Sequence, residues 1–153
     1  MAHGELTSPE PGRAVRWSPP PVGPQGDLGS PFSTAERNTL DEVIAAAERA
    51  TGLRFSVYLG DLGPDTRTTS EGLLAGLGPE ATVSVLLAVS PGQKVVEVVT
   101  GAESGRRISD RSARLAVLST IASCSDGDLL GGLVNGVRTL ADQAGTLPER
   151  ANW

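Results

Sequence analysis

The sequence predicts an α/β fold: a small mixed β-sheet flanked by helices on both faces, an α/β/α sandwich. Three observations carry that expectation. Residues 82–89 and 94–100 are short apolar runs separated only by Ser90, Pro91, Gly92 and Gln93, a turn that makes them antiparallel neighbours. Residues 53–59 alternate strictly, and a helical stretch separates them from the next strand, so that crossover pair is parallel. Around these strands, apolar residues recur at helical spacing near 34–51, 110–122 and 129–144.

Taken in order, residues 1–31 are expected to be a tail. They hold seven of the chain's eleven prolines, and such a segment buries too little apolar surface to offset its ordering entropy. Trp17, beside Pro19, Pro20 and Pro21, could instead dock a partner or fold back onto the domain. The domain is expected over 32–145, with a frayed tail over 146–153. Ser33 and Glu36 form a capping box, and Leu40, Val43, Ile44, Ala47 and Ala50 share a helix face up to Gly52, a C-terminal stop. In the first strand Leu53, Phe55, Val57 and Leu59 lie on one face, which predicts a half-buried strand. A loop over 60–65 follows, and residues 69–77 support a short helix at best.

The helix over 110–122 has Ser109 as its cap, with Leu115, Leu118 and Ile121 expected inward. The last helix, 129–144, is capped by Asp128 and stopped by Gly145, with Leu129, Leu133, Val137 and Leu140 inward. Gly132 and Gly136 lie one turn apart within it. Each costs about 1 kcal/mol of helix propensity, so the pair predicts close backbone approach to a neighbour.

Composition removes several functions. A net charge of −5 argues against a nucleic-acid-binding surface and against anionic membranes. No apolar run approaches the ~20 residues that span a bilayer, and the N-terminus lacks a signal-peptide pattern. The single cysteine, Cys124, allows no internal disulfide, so a cytoplasmic protein is expected. It is read as a small packed residue rather than a reactive thiol. The one histidine, His3, lies in the tail, which argues against Ser-His or Cys-His catalysis and against zinc. Lys94, the only lysine, sits at a turn, so there is no P-loop. Gly76, Gly78 and Ala81 match a dinucleotide fingerprint but precede a strand instead of following one. Asp126, Gly127 and Asp128 resemble the start of a calcium loop without its downstream glutamate, which favours helix capping.

Chemistry, if present, belongs at the helix start near Asp110. Backbone amides there favour anions, and Arg106, Arg107, Arg111 and Arg114 surround it, able to contact a phosphate in bidentate fashion. The bland alternative is a solvated face with an Asp110–Arg114 pair four apart. The plain alternative for Asp110 is a helix-dipole partner, and for Glu103 a loop residue.

The order of motifs resembles the TPM domain family. Asp27 precedes the capping Ser33 and the Ala35–Glu36 pair; Thr51–Gly52 precedes the first strand; Gly101 closes the hairpin; Gly105 leads to Asp110; Gly127–Asp128 opens the last helix. The resemblance covers 27–144 and implies an α/β/α sandwich in an actinobacterial branch of unknown function. Some TPM proteins are described as acid phosphatases or bind divalent cations, and others look like assembly or modulatory factors. This chain departs from the pattern in its short glycine-rich helix before 82–89 and in Thr100 where an aromatic is usual, and the signal peptide and anchor usual in the family are expected to be missing.

Two functions follow from the resemblance. The first is a non-enzymatic protein-interaction or modulatory module, expected to be monomeric, with a protein partner and no required cofactor. The alternative is a weak, metal-dependent acid phosphatase acting on phosphomonoesters. The resemblance pairs Asp27 with Asp110 as motif acids; with Glu103 they would hold Ca²⁺ or Mg²⁺. Arg106, Arg107 and Arg111 would contact the phosphate.

Overall fold

The computed structural model describes residues 32–146. The N-terminal tail with Trp17, Asp27 and, Thr146 apart, the C-terminal tail lie outside the described residues. Helix α1 (Thr34–Thr51) begins at its capping box: the Glu36 N–H donates to Ser33 Oγ (3.1 Å) and the Ser33 N–H donates to Glu36 Oε1 (2.9 Å). It ends at Gly52, whose φ of 78° is open to glycine without strain.

The sheet has the order β1 (Arg54–Leu59), β2 (Ser84–Ser90), β3 (Val95–Thr100). β1 runs parallel to β2, with Phe55 opposite Val85 and Leu59 opposite Val89. β3 returns antiparallel, with Ser90 opposite Val95 and Val85 opposite Thr100. Between β1 and β2, helix α2 (Thr66–Ala75) starts earlier than the spacing predicted, because Asp65 caps it by accepting from the Thr68 N–H. A 3₁₀-helix (Gly78–Val83) then feeds β2. After β3 come the single turn α3 (Ser104–Arg107), α4 (Asp110–Ser125) and α5 (Leu129–Ala144).

Both sheet faces are covered. On one, Leu40 and Ile44 of α1 and Leu133, Val137 and Leu140 of α5 join Phe55, Val57, Val85 and Leu87. On the other, Leu74 of α2 and Leu62 join Tyr58, Leu86, Ala88 and Val99. This second layer corrects the expectation of a half-buried first strand. Ser56 and Tyr58 are buried as well, because α2 lies over the face that alternation assigned to solvent.

The larger correction concerns α4. Leu115, Leu118 and Ile121, expected inward, are 46%, 57% and 38% exposed. Ala116 and Thr120 are buried in their place, with Ala113, Val117 and Cys124 packed alongside. The cause lies in the neighbouring helix. A Cβ on Gly132 would stand 2.6 Å from Cys124 Sγ and 3.0 Å from the Thr120 carbonyl oxygen. One on Gly136 would overlap Thr120 Oγ1 and stand 2.8 Å from Leu87 Cδ2. At that separation a leucine does not fit between the helices, so α4 presents its small residues to α5 and turns its leucines out. The buried Thr120 hydroxyl is satisfied within its own helix, donating to the Ala116 carbonyl (2.8 Å). Among the described residues no helix is long and apolar enough to cross a membrane.

Candidate functional site

The segment from Gly101 to Asp110 is built by close approach and buried hydrogen bonds. A Cβ on Gly101 would collide with the Ala81 carbonyl and lie 2.8 Å from Thr82 Cα, so glycine alone lets the end of β3 pass the 3₁₀-helix. The Gly101 N–H donates to Ser104 Oγ (2.8 Å), and the fully buried Ser104 hydroxyl donates to the Ser84 carbonyl (2.7 Å). The Glu103 N–H donates to the Thr82 carbonyl (2.8 Å). These bonds, with the buried Ile108, pin the segment to the start of β2.

Arg107 faces inward from this segment. Its Nη1 donates to the Thr51 carbonyl (2.9 Å), and its Nε and Nη2 donate to the Ala144 carbonyl (3.3 and 3.2 Å). Nη2 also donates to the Gly145 carbonyl (3.1 Å) and the Thr146 carbonyl (3.4 Å). The guanidinium therefore clasps the C-terminal ends of α1 and α5, where unpaired carbonyls and the negative dipole ends gather. Expected as a phosphate contact, Arg107 instead spends its donors on the fold, and its nearest bonds reach residues far away in the chain.

The other expected site residues are exposed. Asp110 opens α4 behind its cap, where the Ser112 N–H donates to Ser109 Oγ (3.1 Å). Glu103, Arg106, Arg111 and Arg114 are exposed around that helix start. Among the described residues no three His, Cys, Asp or Glu side chains come together as a metal-holding group. Glu103 and Asp110 thus have no third such ligand beside them there, and Asp27 is outside the described residues.

Two further features escaped the sequence reading. A cleft of about 360 Å³ lies between α2, the 3₁₀-helix and the end of β3, lined by Arg67, Glu71, Leu74, Thr82, Thr100 and Gly101 among others. Arg67 spans it: Nη1 donates to Glu97 Oε1 (3.2 Å) and to the Val98 carbonyl (2.9 Å), and Nε donates to Glu71 Oε2 (3.1 Å). Glu97 also accepts from Thr66 Oγ1 (2.7 Å). The edge strand β3 is thereby blunted by a covering arginine, and the cleft's charges satisfy one another. Its one legible signal was Glu97, a lone acid inside an apolar strand.

The second feature is the outer face of α4. Arg111, Arg114, Leu115, Leu118, Ile121 and Ala122 are all exposed and fall on one stripe of the helix. On the opposite side, burial first and Asp128 second push the half-buried Cys124 thiol above its ordinary pKa, which disfavours the thiolate.

Comparison with known proteins places the chain. A profile described as a domain of unknown function (DUF5130) matches residues 21–141. The uncharacterized proteins Rv2468c and MT2543, from two strains of Mycobacterium tuberculosis, are each 38% identical over 118 residues, 77% of this chain and 69% of theirs. Solved structures share the fold. The BA42 protein of Bizionia argentinensis has a TM-score of 0.68 at 16% identity, covering 76% of this chain and 83% of that one. The N-terminal domain of a P. gingivalis protein has 0.65 at 17%, covering 73% and 75%. The N-terminal domain of cg2496 from Corynebacterium glutamicum has 0.62 at 13%, covering 80% and 84%. At these identities the likeness to solved structures concerns the fold alone. The profile match and the mycobacterial relatives both span most of the sequence, and the chain therefore belongs to the DUF5130 family, a domain of unknown function.

Proposed function

We propose that this chain is a non-enzymatic protein-interaction module on a TPM-like scaffold. The TPM-like part rests on the order of motifs across 27–144, which fits a mixed sheet layered between helices. The interaction part rests on one observation: α4 exposes Leu115, Leu118 and Ile121 along a single stripe while burying alanine and threonine. Single exposed leucines are common, but large aliphatics aligned on one helix face are the anchor pattern of helix docking.

The test compares the wild-type chain with Leu118→Glu, using circular dichroism to show that both are folded and affinity capture to read binding. Partners held by the wild type, its own copies included, and lost by the variant support the module. Equal capture by both overturns it, as does a wild type that neither captures a protein nor associates with its own copies.

One observation favours a second reading. Arg106, Arg111 and Arg114 stand exposed at the start of α4, where helix amides already attract anions. A Ca²⁺- or Mg²⁺-dependent phosphomonoesterase would use them with Asp27, Asp110 and Glu103. It requires metal-dependent release of p-nitrophenol from p-nitrophenyl phosphate, abolished by Asp110→Asn with the fold intact.

A further inference from the structure

We propose that the partner of the α4 outer face is a second copy of this chain, with the two α4 helices packed antiparallel about a two-fold axis at Leu118. This rests on the interaction reading above and names its partner. An isologous interface requires a surface that complements itself when reversed. The exposed stripe has that property. Leu115 and Ile121 lie three residues to either side of Leu118, Arg114 and Ala122 four, and Arg111 and Ser125 seven. Reversal sets Leu115 of one copy against Ile121 of the other, and Leu118 against itself.

Charge selects the antiparallel arrangement. Arg111 is exposed at one end of the stripe and Asp126 at the other. At 1.5 Å per residue they lie about 10 and 12 Å from Leu118, in opposite directions. Turning the second copy end for end brings each Arg111 beside the other copy's Asp126, giving two opposite-charge pairs at the rim. A parallel arrangement would set Arg111 against Arg111 and Arg114 against Arg114. Charge at a rim steers register and orientation more than it adds affinity.

The area sets the strength. Two faces one helix wide and about three turns long bury on the order of 1,000 Å² in total, at or below the lower end of stable complexes. The dimer is therefore a weak, exchanging one, formed at high micromolar concentration, and it displaces the expectation of a monomer only there.

The experiment is sedimentation equilibrium of the full chain from low micromolar to millimolar concentration. The wild type is expected to pass from monomer to dimer, and Leu118→Glu to stay monomeric with an unchanged circular dichroism spectrum. Arg111→Glu and Asp126→Arg are each expected to weaken the dimer by roughly three- to tenfold, and the double swap to restore it, since reversed pairs meet only in this register. In a Cys124→Ser background, Leu118→Cys is expected to form a disulfide-linked dimer on mild oxidation, because residues at a two-fold axis meet their own copies.

A wild type that stays monomeric throughout overturns the proposal, as does a double swap no better than either single change. A face shielded in the monomer, and uncovered by deleting residues 1–31, also overturns it and names the tail as occupant. A monomer that binds a different protein through Leu118 overturns self-association yet supports the interaction module. A chain that neither dimerises nor captures a partner overturns both.

Discussion

Helices α4 and α5 are each 16 residues long, lie side by side and carry apolar residues at helical spacing, yet they are inside out relative to each other. They run antiparallel: Ser112 Oγ donates to Gln143 Oε1 (2.7 Å) at one end, and Asn135 Nδ2 donates to Ser123 Oγ (3.0 Å) at the other. α5 buries Leu133, Val137 and Leu140 completely or nearly so, whereas α4 buries Ala116 and Thr120 and leaves its largest aliphatics in water. The difference originates in two glycines. Gly132 and Gly136 let the α4 backbone come within reach of a single missing methyl group, and that closeness decides which α4 face fits. A helix's inner face is thus set partly by its neighbour's sequence.

Substitutions can break this asymmetry, and the largest effect is expected in α5. Leu133→Ala removes a fully buried side chain and is expected to cost about 2–5 kcal/mol of unfolding free energy, read by urea denaturation. Gly136→Val forces a branched side chain against Thr120 and Leu87. It is expected to cost about 1–3 kcal/mol through overpacking, and paired Thr120→Ala should recover part of that loss if the helix separation is what matters.

Arg107→Ala tests how the ends of α1 and α5 are held. It leaves the Thr51 and Ala144 carbonyls without their donor and is expected to cost about 1–3 kcal/mol. Hydrogen exchange should quicken at the C-terminal turns of both helices. Protection that falls elsewhere would assign Arg107 another role.

α2, outside the pair, supplies a control through pH. The Thr68 backbone N–H, then the Thr68 hydroxyl, hold the Asp65 carboxyl below its ordinary value of 3.8. A lowered folded-state pKa means the cap stabilises the helix fully above that ordinary value and is lost as pH falls below it. Protection of the α2 amides, taken relative to the intrinsic exchange rate at each pH, should therefore fall as pH drops below 3.8, and Asp65→Asn, which caps without titrating, should flatten that dependence. The smallest effect is expected at Leu118→Ala, within about 0.5 kcal/mol of wild type at concentrations where the chain is monomeric. A loss as large as that of Leu133→Ala would mean that the α4 stripe is buried within one chain.

Much of the architecture was legible because its signals are local. Ser33 with Glu36, Gly52, Asp128 and Gly145 act within a turn of where they stand, and Pro91–Gly92 reverses the chain between two strands it also adjoins. The start of α2 is not legible because Asp65, its cap, lies in a run of loop formers where a capping acid and a loop acid look alike. The second buried face of β1 was missed because alternation assigns one face to solvent and cannot report that α2 covers it. The site was harder still. Arg67 and Glu97 are 30 residues apart and Arg107 and Thr51 are 56 apart, so the charge-rich stretch around Arg107 gave no sign of which arginine turns inward.

By itself, then, the sequence determined the strands, their parallel and antiparallel pairing and the ends of α1 and α5, since caps, turns and side-chain period are properties of neighbours along the chain. Only the tertiary structure decided the rotation of α4, the double burial of β1 and the inward course of Arg107. Periodicity shows that a helix has an apolar face and is silent on how near its neighbour can come. Where Gly132 and Gly136 allow that approach, alanine and threonine pack better than leucine, and the larger residues go to the surface.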